Sequence, residues 1–257
     1  MRVLSFSKLL AVAAFAGSLA GGVAMAAEAP EPIERDWPHQ GVFGSFDRAA
    51  LQRGMQVYKG VCASCHGLKY VAFRNLEALG YNDEEIEAIA ADFYVQDGPD
   101  DFGDMFEREA VGSDRWPSPF ANEQAARAAN GGAYPPDLSV ITKARAGGED
   151  YIYSLLVGYE EPPEGFELLP GMNYNEYFAG HQIGMAQPLW PDMVDYQDGT
   201  EPTVSQMAAD VTQFLHWAAE PKLEERKQAG VKVILFLIAM SIIFYAYKRR
   251  IWRDVHH

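Results

Sequence analysis

The sequence predicts a mainly α chain, with one helical domain that carries long loop insertions and one C-terminal transmembrane helix. Three observations predict it. The run AGVKVILFLIAMSIIFYAY, from Ala229 to Tyr247, is apolar apart from Lys232, Ser241 and the tyrosine hydroxyls, and roughly 17–25 such residues cross a bilayer as a helix. Between residues 47 and 221, apolar side chains recur at intervals of three and four, the spacing of helices buried along one face. Strand-like alternation is short and scattered, and there is no internal repeat. At 257 residues and 48% hydrophobic, the chain has material for a sizeable core.

The elements follow in order. Residues 1–26 place Arg2 and Lys8 ahead of an Ala- and Leu-rich run that ends at Ala24-Met25-Ala26, the order of a cleaved secretory signal peptide. Residues 27–228 form the expected domain. Its first part, EAPEPIERDWPHQG, is Pro-rich and reads as an extended lead-in, with the folded part beginning at a helix over Asp47–Cys62 capped by Asp47. NDEEIEAIAADFYV predicts a second helix with Asn82 as its cap and Ile86, Ile89, Ala90 and Phe93 inward, followed by the acidic loop Asp97–Asp104. EQAARAANGG is a short helix stopped by its glycines, and GEDYIYSLLVGY is another before a loop rich in Pro and Gly. The clearest amphipathic helix is Thr203–Pro221, with Val204, Met207, Ala208, Val211, Phe214 and Leu215 on one face. The transmembrane helix spans 229–247, and 248–257 is a short tail. If a signal peptide exports the domain, this helix runs inward and puts Lys248, Arg249, Arg250 and Arg253 in the cytoplasm, as the positive-inside rule prefers. That expectation is a bacterial inner-membrane protein with its domain in the periplasm.

Residues 27–228 carry a net charge of −21. A field of that sign repels nucleic acid and attracts basic proteins.

Both cysteines of the chain, Cys62 and Cys65, lie in VCASCHGLKY with His66 directly after the second. C-x-x-C-H is the attachment signature of c-type haem. On one helical turn the two thiols share a face and can each form a thioether to a haem vinyl group, and His66 can then ligate the iron from below. A redox disulfide of thioredoxin type would want a βαβ context, which is absent, and a zinc site would need a fourth ligand and rarely forms from one C-x-x-C-H alone. A methionine opposite the histidine fills the sixth position and raises the potential, which suits an electron carrier. Met105, Met172, Met185 and Met193 are candidates, with His181 a nitrogen alternative. HQIGMAQPLW favours Met185, since Gly184 allows close backbone approach and Pro188 stiffens the strap.

The stretches CASCHGLKYVAFRNL, AARAANGGAYPPDLSVITKARAGGEDYIYSLLVGY, YFAGHQIGMAQPL and FLHWAAEP, followed by the membrane helix, resemble the cytochrome c1 family of bacterial type. The resemblance implies a cytochrome c-like haem domain with one covalent haem c, ligated by His66 and Met185. It implies that Pro135, Pro136, Leu138 and Ile141 lie against the haem, that Asn130, Tyr151, Leu155, Phe178, Ile183 and Pro188 line the pocket, and that Arg145 faces a propionate. It further implies a single-electron relay in a cytochrome bc1 complex (ubiquinol–cytochrome c reductase). Electrons would arrive from a Rieske iron–sulfur protein beside cytochrome b and leave for a soluble, basic cytochrome c, with no catalytic residue required. The acidic clusters Asp83–Glu87 and Asp97–Glu109 become docking candidates. A different membrane-anchored c-type cytochrome, serving an oxidase or dehydrogenase, is the alternative. Two departures from the family pattern stand out: Gln187 precedes Pro188 where many members have proline, and no second cysteine pair braces the distal loop, so its stiffness is expected from packing alone.

Overall fold

The computed structural model describes residues 30–255; the expected signal peptide lies outside the described residues. Helix α1, Arg48–Gly60, starts where Asp47 Oδ1 accepts the N–H groups of Ala49 and Ala50. It buries Ala50, Leu51, Gly54, Met55, Val57 and Tyr58, largely against α5, Val204–Ala219, whose cap is the Thr203 hydroxyl. The two helices pack so closely at Gly54 that a Cβ there would stand 2.1 Å from the Asp210 carbonyl oxygen and 2.7 Å from Phe214 Cβ. Beside that contact, Arg53 bonds Asp210 through Nε (2.9 Å) and Nη2 (3.0 Å) and Asp198 through Nη1 (2.8 Å). Asp210 is fully buried, so the bidentate pairing is what makes its charge tolerable there.

α1 is shorter than its sequence pattern. It ends at Gly60, Val61 turns away at φ −121°, and Cys62–Ser64 forms a separate 3-10 turn. A 3-10 helix, Phe73–Leu79, follows, then α2, Asp83–Ala90, where Asn82 and Glu85 cap each other reciprocally. The expected continuation of α2 through Phe93 to Val95 is not helical. Phe93 instead packs on Phe73 and Trp116, at 5.5 and 4.9 Å between ring centroids, and β1, Tyr94–Asp97, pairs antiparallel with β2, Phe106–Glu109. Aromatic and β-branched residues suit a strand, and tertiary pairing overrides the helical period. The acidic loop is thereby the tip of a hairpin. Helices α3, Glu123–Ala129, and α4, Gly148–Val157, match expectation to within two residues at their ends, and α4 also packs on α5. Two-residue strands β3, Asn173–Tyr174, and β4, Gln182–Ile183, close the distal loop.

The Pro-rich lead-in is part of the folded domain rather than a prelude to it. Ile33 N–H bonds Ser154 Oγ (2.7 Å), Trp37 Nε1 bonds Asp150 Oδ1 (2.6 Å), and both Trp37 and His39 are buried. His39 Nε2 and His216 Nδ1 each lie 3.2 Å from one oxygen of Glu149. Burial alone pushes that carboxyl up, but the adjacent His216 ring and the hydrogen bond with His39 Nε2 outweigh it and hold Glu149 well below the usual carboxylate range. Donor atoms of the three residues lie within 4.8 Å of one another, yet the imidazoles stack at 4.3 Å with planes 21° apart. Near-parallel stacked rings do not aim their nitrogens at a common ion, so the cluster acts as a clamp joining the N-terminal strap, α4 and α5.

Helix α6, Leu223–Ile251, runs 29 residues, about 43 Å at 1.5 Å per residue. Among the described residues it is the one helix long and apolar enough to cross a membrane, and its apolar side chains are exposed along the span.

Candidate haem-binding site

The proximal side is built on the turn that follows α1. The amides of Cys65 (3.1 Å) and His66 (2.9 Å) both donate to the Cys62 carbonyl, which curls Cys62, Cys65 and His66 into one tight unit. The two thiols are not joined to each other, so each is available for a thioether. Burial first, and then the neighbouring Cys65, push the Cys62 thiol up to about 12. The Tyr58 hydroxyl, from the last turn of α1, donates to the His66 carbonyl (2.9 Å) and ties the unit to the core.

His66 Nδ1 lies 2.7 Å from the Pro136 carbonyl. A carbonyl only accepts, so Nδ1 carries the proton and Nε2 is left with its lone pair, the form in which imidazole binds a metal. Burial holds the His66 pKa below its ordinary value, against the opposing pull of the Pro136 carbonyl and Asp137, and so favours the neutral ring.

The PPDLS segment is a splint alongside this unit. Leu138 N–H donates to the Gly67 carbonyl (2.8 Å), Lys69 N–H to Asp137 Oδ2 (3.0 Å), and Tyr70 N–H to Ser139 Oγ (3.1 Å). Asp137 Oδ1 also accepts Ser139 N–H (3.0 Å), folding its own segment. A Cβ at residue 67 would stand 2.9 Å from Asp137 Oδ2, so glycine lets the two segments meet. The expected Pro135, Pro136, Leu138 and Ile141 therefore come with their backbone fixed against the haem motif; Leu138 and Ile141 are buried. Tyr58, Asp137 and Ser139 were not singled out by sequence reasoning. An acidic residue two before a serine, directly after two prolines, is an Asx-turn signal that pointed to Asp137.

On the distal side, exposure separates the candidates. Met105, Met172 and Met193 are 60%, 39% and 48% exposed, whereas Met185 is half-buried. Its carbonyl accepts the Tyr159 hydroxyl (3.1 Å). Gly184 lies against Ala133, whose Cβ would be 3.2 Å from a Cβ at residue 184, so the distal loop meets the chain two residues before Pro135. His181 adopts φ 57°, bonds Glu176 O through Nδ1 (2.9 Å) and stacks on Tyr174, which commits it to its own loop.

Stiffness of that loop does not come from packing alone, contrary to expectation. The buried Asn175 donates through Nδ2 to the Leu155 carbonyl (2.8 Å), Leu169 N–H donates to Gln182 Oε1 (2.8 Å), and β3 pairs with β4. Gln187 Nε2 donates to the Leu189 carbonyl (2.9 Å), so the residue standing where proline is common closes the strap by hydrogen bonding. The structure sets Ile183 in the core and leaves Tyr151, Leu155, Phe178 and Pro188 half-buried. Asn130 caps α3 through Nδ2 to the Ala126 carbonyl (2.7 Å). Arg145 is exposed, bonds only the Ala144 carbonyl, and forms no ion pair among the described residues. Two thiols on one turn, a neutral imidazole with a free Nε2, and a half-buried thioether form a donor set that fits haem c.

The sequence matches the Cytochrome C1 family over residues 37–255. This chain belongs to the cytochrome c1 family. It is 49% identical to cytochrome c1 of Rhodospirillum rubrum over 254 residues, 92% of this chain and 93% of that one. It is 50% identical over 220 residues to the cytochrome c1 haem protein of Saccharomyces cerevisiae, covering 85% and 71%. A match of 49% identity also covers 88% of this chain and 36% of a longer polypeptide, cytochrome b/c1 of Bradyrhizobium diazoefficiens. As a cytochrome c1 family member with an intact C-x-x-C-H, the chain carries covalent haem c in a mainly helical domain and functions in electron transport.

Proposed function

We propose that the chain is the haem subunit of a cytochrome bc1 complex, accepting single electrons from a Rieske iron–sulfur protein and passing them to a soluble, basic cytochrome c. It works beside cytochrome b as one part of a ubiquinol–cytochrome c reductase, with no catalytic residue of its own. The observation that carries this reading is His66 held by Pro136 with Nε2 free, on the same turn as both thiols. The family match weighs against a cytochrome of an unrelated oxidase or dehydrogenase.

Haem c supplies the one-electron couple. Cys62 and Cys65 would attach it, and His66 and Met185 would hold its iron. Pro135, Leu138, Ile141, Tyr151, Leu155, Phe178, Ile183 and Pro188 exclude water, Asn130 shapes the rim beside α3, and the unpaired Arg145 offsets a propionate. With His66 held by the Pro136 carbonyl and the Met185 carbonyl by Tyr159, the site would change charge with little rearrangement.

The domain, residues 27–228, lies in the periplasm after removal of residues 1–26. Residues 229–247 cross the inner membrane, and 248–257 lie in the cytoplasm, in keeping with the Lys and Arg residues that follow the span. For docking a basic partner, the hairpin is the favoured surface. Arg108 occupies Asp97 and Asp114, and Asp100 accepts two backbone amides. Among the described residues that leaves Asp101, Asp104, Glu107 and Glu109 as hairpin acids whose carboxylates have no ion-pair or backbone partner, able to steer an incoming cation.

Met185→Leu tests the reading. Covalent haem is retained, and the midpoint potential falls by a sizeable part of the roughly 0.8 V that axial ligands span. An unchanged potential assigns the ligand elsewhere. Purification of the tagged chain from its membrane brings down haem b and an iron–sulfur protein; their absence returns the reading to a solitary cytochrome.

A further inference from the structure

The loop Gly41–Ser45 stands against the first turns of α6 and exposes two apolar side chains, Val42 and Phe43, the latter 88% accessible. The loop is firmly held. Gln40 N–H bonds the Trp37 carbonyl (3.0 Å) and Ser45 N–H the Pro38 carbonyl (3.1 Å). Lys227, on α6, donates to the carbonyls of both His39 and Gly44, and Phe46 N–H donates to Glu224 of the same helix (2.7 Å). Gly44 admits no side chain, since a Cβ would stand 1.9 Å from the Gln40 carbonyl oxygen. An exposed aromatic ring on a fixed loop is preorganised for a partner that lies outside the chain.

The place of the loop along α6 says which partner. A groove of about 370 Å³ separates loop from helix and is lined by Val42, Phe43, Gly44, Lys227, Val231 and Lys232. The apolar span begins at Ala229, so Val231 and Lys232 lie two to three residues inside it, roughly 3–5 Å along the axis. Val42 and Phe43, which share the groove with them, are therefore at the level where headgroups give way to acyl chains. The charges there point the same way. Glu224 is occupied by Arg48 and the Phe46 amide, and Lys227 by two carbonyls. Lys232 has no hydrogen-bond or ion-pair partner among the described residues, and a lysine just inside a span reaches its ammonium outward to the headgroups. Beneath a domain of charge −21, which by itself repels an anionic surface, this is a local cationic seat.

We infer that the Gly41–Ser45 loop and the start of α6 form an interfacial lipid site, in which Val42 and Phe43 insert at the headgroup–acyl boundary and Lys232 binds the phosphate of an anionic phospholipid. The inference rests on α6 spanning the membrane, as proposed above. It gives the domain a second membrane contact beside its anchor, fixing its tilt and not merely its tether.

The test uses the full haem-loaded chain in lipid nanodiscs, with and without phosphatidylglycerol. Because haem occupies both native thiols, Phe43→Cys offers a single site for a nitroxide. Its collision rates with oxygen, which partitions into lipid, and with a water-soluble nickel chelate report depth. The oxygen-to-nickel ratio is expected several-fold above that of a label at Phe102→Cys on the hairpin tip. Phosphatidylglycerol raises it further, and Lys232→Gln removes that increment. A ratio at Phe43→Cys equal to that at Phe102→Cys overturns the inference, and an increment that survives Lys232→Gln overturns the role of the lysine. In the purified complex, a label shielded from both reagents means that a partner subunit, not lipid, covers the loop, which also overturns it. A label at Leu237→Cys separates the two readings: water-like access there overturns the spanning of α6 and this inference together, whereas bilayer-like access there with a water-like loop overturns this inference alone.

Discussion

Asp137→Ala should loosen the proximal splint without touching any residue that bonds the haem. The side chain accepts two backbone amides, Lys69 N–H at 3.0 Å and Ser139 N–H at 3.0 Å. A hydrogen bond to a charged group contributes about 1.5–3 kcal/mol. The aspartate is only half-buried, and solvent screening reduces each bond to about 1–1.5 kcal/mol. The expected loss is about 2–3 kcal/mol, which for a domain of this size lowers Tm by about 4–12 °C. Asp137→Asn keeps one carbonyl oxygen and loses the charge, so its shift should be close to half. The assay is thermal unfolding of the haem-loaded chain in detergent, followed by circular dichroism, with covalent haem unchanged in both variants. Equal Tm for parent and Asp137→Ala would show that PPDLS is held by Pro136, Leu138 and Ser139 without Asp137 and would refute the splint as described. A shift as large for Asp137→Asn as for Asp137→Ala would show that charge, not acceptor count, is what matters there.

Other variants probe the framework. Gly54→Ala forces a methyl onto the Asp210 carbonyl and Phe214; neither backbone can yield without parting α1 from α5, so a loss of at least about 3 kcal/mol is expected, read as a collapse in the yield of haem-loaded protein. Arg53→Met strips the buried Asp210 of its bidentate partner and leaves it Gln206 Nε2 (3.0 Å), at a cost of about 3–5 kcal/mol; in chemical denaturation, Arg53→Met with Asp210→Leu should recover much of it. Glu149 is held below its unfolded value of about 4.3, so its contribution is fully present above that pH and is lost as the pH falls through the lower folded value. Tm should therefore decline on acidification below about pH 4.3, with a shallower decline in Glu149→Gln; identical profiles would count against the clamp.

Much of the α-helical scaffold was legible because its signals are local. Asp47 and Asn82 cap the helices their positions suggested, and most of the apolar face of α5 is buried as its spacing required. What the residue pattern misjudged were places where distant contacts decide. Phe93 has helical spacing relative to Ile86 and Ala90, but its ring is claimed by Phe73 and Trp116, and the residues after it pair with a strand that begins at Phe106. The prolines before Trp37 signalled a segment without helix, and none forms there; irregular backbone does not mean exposure when Ser154 and Asp150, more than a hundred residues on, supply the hydrogen bonds.

The haem site divides along the same line. Cysteines and histidine are a contiguous signature, since attachment chemistry demands adjacency. The group that readies the histidine is a backbone carbonyl seventy residues away, and a carbonyl has no residue identity for a sequence to display. What selection can act on is the apparatus that delivers it: two prolines that fix the chain direction, an aspartate that closes the turn, and a glycine opposite with no side chain to obstruct. A similar apparatus recurs on the distal side, where Asn175 and Gln182 brace the loop through backbone groups of Leu155 and Leu169. Polar residues that bond only to backbone thus fix the loops that carry His66 and Met185, and substitutions among them should alter the potential and stability of the site more than changes among the half-buried Leu155, Phe178 and Pro188.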